Sequence, residues 1–257
     1  MGAPTIAASR FAVAFVALVP ILWVERRRLL ETIRMGAAWV LACLMVGYYL
    51  ASVTAFTLTT VAEGTLLVNT APLFVLSIRL VRRDSVTRRE LAGALIAFIG
   101  LCVMLLPDVL GGPSADGHLF GAGMALVAAL IGALYSLIFA GLAERGGVQP
   151  RPSIVTVLTF AVGIVVASPI LPTVEEWQGN LGALLALGVV VTALPTFLYS
   201  VASARLSAVV VTTFRLLTPV IATLLAVVFW NEVLGGWFWI GGGLVLAGLF
   251  VIARPAD

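Results

Sequence analysis

The sequence predicts an all-α integral membrane protein with nine transmembrane helices in an inverted repeat of helical bundles. Three observations support this prediction. Of the 257 residues, 61% are hydrophobic and 11% are charged, whereas an average soluble domain is about 25% charged. Apolar runs long enough to cross about 30 Å of hydrocarbon recur along the whole chain. Basic residues are confined almost entirely to alternate connections between these runs.

Each apolar run is interpreted as a helix, because hydrocarbon offers no partner for open backbone groups. The runs are also too long and too uniformly apolar for the strands of a membrane barrel. They cover residues 4–24, 35–57, 61–81, 91–110, 119–142, 153–172, 180–201, 207–230 and 236–253. The chain begins without a basic segment or a small-residue cleavage site, so no removable signal peptide is predicted.

The arginines predict the orientation. Twelve of the 15 basic residues lie in the connections after the odd-numbered spans or after the last one: Arg26, Arg27, Arg28, Arg34, Arg82, Arg83, Arg88, Arg89, Arg145, Arg151, Arg205 and Arg254. The positive-inside rule places these connections in the cytoplasm. The expected protein is a multi-pass protein of the inner (plasma) membrane, with Met1 outside and a cytoplasmic C-terminus.

No enzymatic activity is predicted. The chain has no Walker A phosphate loop and no HExxH or GxSxG motif, and its single histidine, His118, lies in a connection between spans. The sequence therefore predicts no cofactor, metal site or nucleic-acid partner. The expected partners are the lipid bilayer and a small molecule.

An internal repeat becomes visible when the segment before Pro72 is aligned with the segment before Pro219, 147 residues later. "GALIAFIGL" (93–101) then matches "GGGLVLAGL" (241–249) after an insertion of one residue. The matched spans are the third and the eighth, so they cross the bilayer in opposite directions. Inverted repeats are typical of secondary transporters, in which two similar halves open alternately to each side. The predicted repeats are residues 1–110, with four helices, and 119–257, with five.

Three segments carry a resemblance to a known family. They are "PTIAASRFAVAF" (4–15), "NTAPLFVLSIRLVRRDSVTRRELAGALIAFIGLCVML" (69–105) and "LYSVASARLSAVVVTTFRLLTPVIATLLAVVFWNEVLGGWFWIGGGLVLAGLFVI" (198–252). In their order and spacing the chain resembles EamA-type transporters of the drug/metabolite transporter superfamily. The resemblance implies ten helices in two inverted five-helix repeats that move metabolites, amino acids or xenobiotics, often outward. Against this pattern the chain is expected to lack the family's usual first transmembrane helix, either because its start is assigned too late or because the protein is shortened.

Charged residues within the spans are candidates for function, because a central arginine costs about 2.5 to 3.5 kcal/mol on insertion scales. Arg215 lies one helical turn from Pro219 and suits a carboxylate or phosphate on a substrate, or else an internal ion pair. Arg10 and Glu63 are candidates for coupling; they could pair or reach the interface separately. Arg79 lies near the end of its span and is interpreted as an orientation residue.

Pro72 and Pro219 are candidate hinges, since a proline within a helix removes one backbone hydrogen bond. Polar and aromatic side chains inside the spans suit an apolar pocket with a few orienting groups. The candidate substrate-binding residues are Tyr48, Tyr49, Asn69, Tyr135, Tyr199, Phe214 and Arg215. The predicted function is a secondary transporter, an exporter of metabolites, amino acids or drug-like compounds working by alternating access. The alternative is a non-transporting membrane subunit or scaffold.

Overall fold

The computed structural model describes residues 3–111, 118–144, 149–170, 174–230 and 235–253, and no strand occurs in these ranges. Arg145, Arg254, Met1 and Asp257, which enter the orientation argument, lie outside them. The helices are α1 Ala3–Val24, α2 Arg26–Ile33, α3 Gly36–Leu58, α4 Val61–Val68, α5 Ala71–Val81, α6 Arg88–Gly111, α7 His118–Glu144, α8 Pro152–Ala167, α9 Val174–Leu185, α10 Leu194–Ser203, α11 Ala208–Phe214, α12 Leu217–Trp230 and α13 Gly236–Ala253. A 3₁₀ turn, Ser168–Ile170, follows α8, and a π-helix, Ala186–Ala193, joins α9 to α10.

The all-helical class is confirmed, but the number of spans is smaller than predicted. Among the described residues, seven helices are long and apolar enough to cross a membrane, or eight if the bent pair Ala8–Val24 and Arg26–Ile33 counts as one. The main difference is the sixth predicted span, 153–172. Its helix α8 has only 16 residues, about 24 Å at 1.5 Å per residue. Pro169 lies in the 3₁₀ turn that follows it, where it disfavours continuation of the α-helix.

Both predicted hinge prolines follow a break in their helix. The break between α4 and α5 precedes Pro72, and the break between α11 and α12 precedes Pro219. The two helix starts also correspond in the repeat. The side chain of Thr60 accepts a hydrogen bond from the Glu63 amide at 3.2 Å, and Ser207, 147 residues later, accepts one from the Val210 amide at 3.3 Å. Each pair of half-helices still forms one span, Val61–Val81 and Ala208–Phe229.

Helices α6 and α13 cross at two pairs of glycines. A Cβ atom on Gly100 would lie 2.6 Å from the Gly241 carbonyl oxygen, and one on Gly248 would lie 2.5 Å from the Gly93 carbonyl oxygen. The helices are therefore antiparallel and touch backbone to backbone. In the repeat, Gly93 aligns with Gly241 and Gly100 aligns with Gly248. The contact between Gly100 and Gly241 is therefore equivalent to the contact between Gly248 and Gly93. This is the pattern that two-fold-related segments produce.

Helix α6 begins at Arg88, three residues before the predicted start at 91. The side chain of Glu90 stabilises this start. Glu90 Oε2 accepts from the Thr87 amide at 3.1 Å, and Thr87 Oγ1 accepts from the Glu90 amide at 3.1 Å, which forms a capping box. The other carboxylate oxygen lies 3.2 Å from Arg79 Nη1 and accepts from Ser207 Oγ at 2.8 Å. Interpreting Arg79 as an orientation residue was therefore incomplete, because it also forms a largely buried ion pair.

The chain divides into two compact units that differ from the predicted sequence repeats. The first unit contains Met1–Val53 and Ile138–Arg205, and the second contains Thr54–Leu137 and Leu206–Asp257. Each unit therefore takes helices from both repeats. The core of the first unit includes Phe11, Leu18 and Phe160. The core of the second includes Leu101, Leu216 and Val245.

Candidate functional site

The first unit holds an arginine within its transmembrane region. Arg10 lies on α1 and donates from Nε to Thr192 Oγ1 at 2.8 Å. Thr192 is fully buried, and its hydroxyl donates in turn to the Leu187 carbonyl at 2.8 Å, five residues earlier. That carbonyl lies within the π-helix, a form that is rare and frequent at functional sites. The π-helix thus places a hydroxyl oxygen opposite the guanidinium.

A row of hydroxyls continues from Thr192 along α10. Thr196 Oγ1 donates to the Thr192 carbonyl at 2.6 Å, and Ser200 Oγ donates to the Thr196 carbonyl at 2.8 Å. Residues four apart lie on one face of a helix, and all three side chains are buried. Thr156 of α8 extends the row, with its Oγ1 3.0 Å from Ser200 Oγ. Polar groups therefore line one buried face through an otherwise apolar span.

Tyr49 contacts this row at a special position. Its hydroxyl lies 2.5 Å from Thr196 Oγ1, and the two residues are 147 apart, which is the offset of the repeat. A residue that contacts its own repeat equivalent lies on the axis relating the repeats. In inverted repeats this axis runs in the membrane plane near the bilayer midplane. The predicted repeat therefore places Tyr49 and Thr196 near that depth.

Aromatic rings enclose the tyrosine. Phe11 meets Tyr49 edge to face, with ring centroids 5.4 Å apart, and Phe160 lies 6.5 Å from the Tyr49 ring. Tyr48 packs on Tyr49 at 5.7 Å. Apolar walls with a few polar tips are typical of small-molecule sites. We name the set Arg10, Phe11, Tyr49, Phe160, Thr192 and Thr196 the Arg10–Tyr49 cluster.

Two other predicted tyrosines differ in exposure. Tyr199 lies on α10 and is partly buried, and it belongs to the first unit. Tyr135 lies on α7 in the second unit and is only 1% exposed. Among the predicted binding residues, the described contacts bring together Tyr48 and Tyr49. Tyr49 is connected to Arg10 through hydrogen bonds of Thr196 and Thr192.

The other predicted binding residues lie at the helix breaks of the second unit. Asn69 follows α4 and donates from Nδ2 to the Thr65 carbonyl at 2.8 Å. Phe214 ends α11 and is 42% exposed. Arg215 lies directly in the break; its carbonyl accepts from the Thr218 amide at 2.9 Å. Pro219 cannot donate to this carbonyl from four residues on, which explains why the break falls there.

Glu63 has a partner that the sequence analysis did not identify. His118 Nε2 lies 2.6 Å from Glu63 Oε2, with side-chain exposures of 34% and 17%. Arg10, for which a pair with Glu63 was left open, contacts Thr192 instead. The Glu63–His118 pair brings two protonatable side chains into direct contact within the second unit.

Sequence reasoning also missed the buried hydroxyl row. The recurrence of Thr192, Thr196 and Ser200 at four-residue spacing in an apolar run was visible and could have indicated it. The π-helix had no such signal in the sequence, and it contains a close packing contact at Gly188. A Cβ atom on Gly188 would lie 2.4 Å from Val13 Cγ1, so glycine allows this close approach to α1.

The long apolar helices of this chain enclose an arginine and a row of hydroxyls, a combination that indicates the class of protein to which it belongs. Polar and charged side chains inside a membrane domain mark the pathways of substrates and ions. Inverted repeats with broken helices are characteristic of secondary transporters. The fold and the site together are those of a membrane transport protein.

Comparison with known proteins identifies the family. The model of the EamA-like transporter family matches residues 1–106 and 119–254. The chain belongs to this family of membrane transporters, and the resemblance inferred from its motifs is confirmed. A solved structure, described only as the crystal structure of a protein, matches with a TM-score of 0.77 and 20% identity over 98% of this chain and 88% of that one. This similarity supports the fold alone. No curated protein matched the chain.

Proposed function

We propose that the chain is a secondary transporter that exports small metabolites, amino acids or drug-like compounds bearing an anionic group. The observation that carries this proposal is the Arg10–Tyr49 cluster. Hydrogen bonding to Thr192 occupies one of the five N–H donors of the Arg10 guanidinium. Among the described residues, no carboxylate lies within ion-pair distance of Arg10. A partly buried guanidinium of this kind favours a substrate carboxylate or phosphate.

Transport proceeds by alternating access, with Pro72 and Pro219 at the flexing points. The helix breaks at these prolines support this part of the proposal, because a broken helix changes its bend with fewer backbone hydrogen bonds to lose. Arg215 lies at the second break, in the second unit, where its guanidinium suits an anionic group. The arginine-rich connections and the C-terminus face the cytoplasm of the inner membrane, as the positive-inside rule predicts.

A proton gradient drives the transport through Glu63. Its contact with His118 supports this assignment, because the pair places a carboxylate and an imidazole, two side chains that can pass a proton between them, 2.6 Å apart. Glu63 lies near the start of α4, in the same span as Pro72. A change in its protonation state can therefore act on the broken span.

The test is efflux from cells that express the chain. Wild type is expected to lower the accumulation of carboxylate-bearing amino acids or drugs, and Arg10→Ala and Arg215→Ala are each expected to abolish this effect without loss of membrane insertion. Arg82→Ala is the matched control, since Arg82 is exposed and follows α5. Equal accumulation with wild type and empty vector across the panel would contradict transport and favour the scaffold alternative.

Coupling is tested separately in proteoliposomes. Glu63→Gln is expected to remove the response to an imposed pH gradient while exchange of labelled for unlabelled substrate continues. The exchange separates substrate binding from proton coupling, because it requires no net driving force. A Glu63→Gln protein that still responds fully to the gradient would contradict the coupling role and leave the transport proposal intact.

A further inference from the structure

A polar cavity of about 500 Å³ lies in the first unit, where three helices begin or end. Its lining shares no residue with the Arg10–Tyr49 cluster. The lining includes Glu25, Arg28, Arg151, Ser153, Phe197 and Arg205. Glu25 directly follows α1, Arg151 caps α8 and Arg205 lies just beyond α10.

The charge of the lining favours an anion. It contains three guanidinium groups and one carboxylate. Arg28 pairs with Glu31 at 3.0 Å, but both side chains are more than half exposed, and exposed pairs of this kind are weak. In the part of the chain that the structure describes, neither Arg151 nor Arg205 has a carboxylate within ion-pair distance. Two arginines therefore remain available for a phosphate group.

The single carboxylate of the lining adds a second requirement. Glu25 Oε1 accepts from Ser153 Oγ at 2.7 Å, whereas Glu25 Oε2 is buried and has no hydrogen-bond partner among the described residues. Buried polar atoms in folded proteins are almost always paired. A carboxylate oxygen can only accept hydrogen bonds, so the missing partner is a donor, and a cationic donor fits its charge best.

The depth of the cavity indicates a lipid. Its charged residues lie at the ends of membrane-spanning elements, where phospholipid headgroups are found. Trp23 and Val24, immediately before Glu25, are each 85% exposed, as expected for side chains that face lipid at the interface. After Glu25 the chain turns by 110° into α2, an arginine-rich helix suited to lie along the membrane surface.

We propose that this cavity binds the headgroup of a phospholipid that carries both a phosphate and a primary ammonium group. Arg151 and Arg205 bind the phosphate, and the ammonium donates to Glu25 Oε2. A trimethylated ammonium carries the same charge but has no N–H to donate. The site therefore prefers phosphatidylethanolamine to phosphatidylcholine.

The experiment is native mass spectrometry of the detergent-solubilised protein, titrated with dioleoyl phosphatidylethanolamine or dioleoyl phosphatidylcholine. Wild type is expected to bind the first about tenfold more tightly, the ratio for one charge-assisted hydrogen bond. Glu25→Gln should weaken phosphatidylethanolamine binding more than phosphatidylcholine binding and so reduce this preference, because only the primary ammonium also loses a charge-assisted hydrogen bond. Arg151→Gln combined with Arg205→Gln should lower the affinity for both lipids about tenfold or more.

Arg82→Gln, with an exposed arginine of the second unit, is the control, and each variant is first shown to be monodisperse with a wild-type melting temperature. Equal affinity of wild type for the two lipids would overturn the ammonium assignment. Loss of binding in Arg82→Gln as large as in the double variant would overturn the phosphate assignment. Displacement of the lipid by an equal concentration of O-phosphoethanolamine would overturn the lipid assignment and indicate a soluble zwitterion.

Discussion

Helices α6 and α13 of the second unit meet backbone to backbone. In the first unit, α1, α3 and α8 instead contact the π-helix and α10 through an arginine and hydroxyls. At the glycine crossing a Cβ atom would overlap main-chain atoms of the other helix. In the first unit the contacts that join α10 to its neighbours are side-chain hydrogen bonds such as that between Tyr49 and Thr196. Main-chain atoms in a packed helix cannot move away, but side chains can change rotamer.

This difference separates two roles within one chain. A crossing built on backbone contact has a single arrangement, so it suits a part of the protein that keeps its shape. A polar layer built on side chains can exchange its hydrogen bonds with a substrate. We therefore expect substitutions to destabilise the protein most at the glycine crossing and least at the hydroxyl row.

The largest effect is expected for Gly241→Ala. The new Cβ would lie 2.5 Å from the Gly100 carbonyl oxygen and from the Met104 amide nitrogen, so the helices must separate, at a cost of about 3 kcal/mol. Gly243→Ala is the matched control on the same helix, because nothing lies within 4 Å of its added Cβ. Thermal unfolding in detergent measures both. Equal melting temperatures for the two variants would show that the crossing is not tightly packed.

A smaller effect is expected for Gly188→Ala in the π-helix. Here the obstacle is a side chain, Val13 Cγ1 at 2.4 Å and Val13 Cβ at 2.5 Å, and we expect a loss of roughly 1 to 2 kcal/mol. Val13→Ala in the same chain removes Cγ1 but keeps Cβ, so it should restore only part of this loss, whereas Gly182→Ala, with nothing within 4 Å, should cost nothing. A double variant no more stable than Gly188→Ala would mean that the contact with α1 is not the cause.

The two helix caps at equivalent repeat positions provide a third comparison. Thr60→Ala removes one cap bond and should cost about 1 kcal/mol. Ser207→Ala should cost more, since this hydroxyl also donates to Glu90 Oε1 at 2.8 Å. Chemical or thermal unfolding of both variants measures the difference. If Thr60→Ala proves the more damaging, the Ser207–Glu90 bond contributes nothing to stability.

The smallest effect is expected for the bond between Tyr49 and Thr196. A double-mutant cycle with Tyr49→Phe and Thr196→Val should give a coupling of about 0.6 kcal/mol, the average for hydrogen bonds between membrane helices. The same variants should lower substrate affinity more than they lower stability, if the Arg10–Tyr49 cluster is the binding site. A coupling near zero, with unchanged affinity, would argue that the two hydroxyls do not interact.

The sequence by itself determined the helical class and the family, and it predicted the repeat. Uniformly apolar runs leave no alternative to helices in hydrocarbon, and the glycines of 93–101 and 241–249 carry the repeat. It also indicated the helix breaks, because proline removes its own hydrogen bond wherever it occurs in a helix. These properties depend on local chemistry, which a linear sequence contains in full.

The tertiary structure decided which side chains meet. Glu63 contacts His118 rather than Arg10, Arg79 is paired with Glu90, and Arg10 is held by a threonine 182 residues away. It also shortened the sixth predicted span and combined helices of both predicted repeats in each compact unit. Such contacts join residues that are distant along the chain, and their choice depends on helix packing, which hydropathy and spacing do not specify.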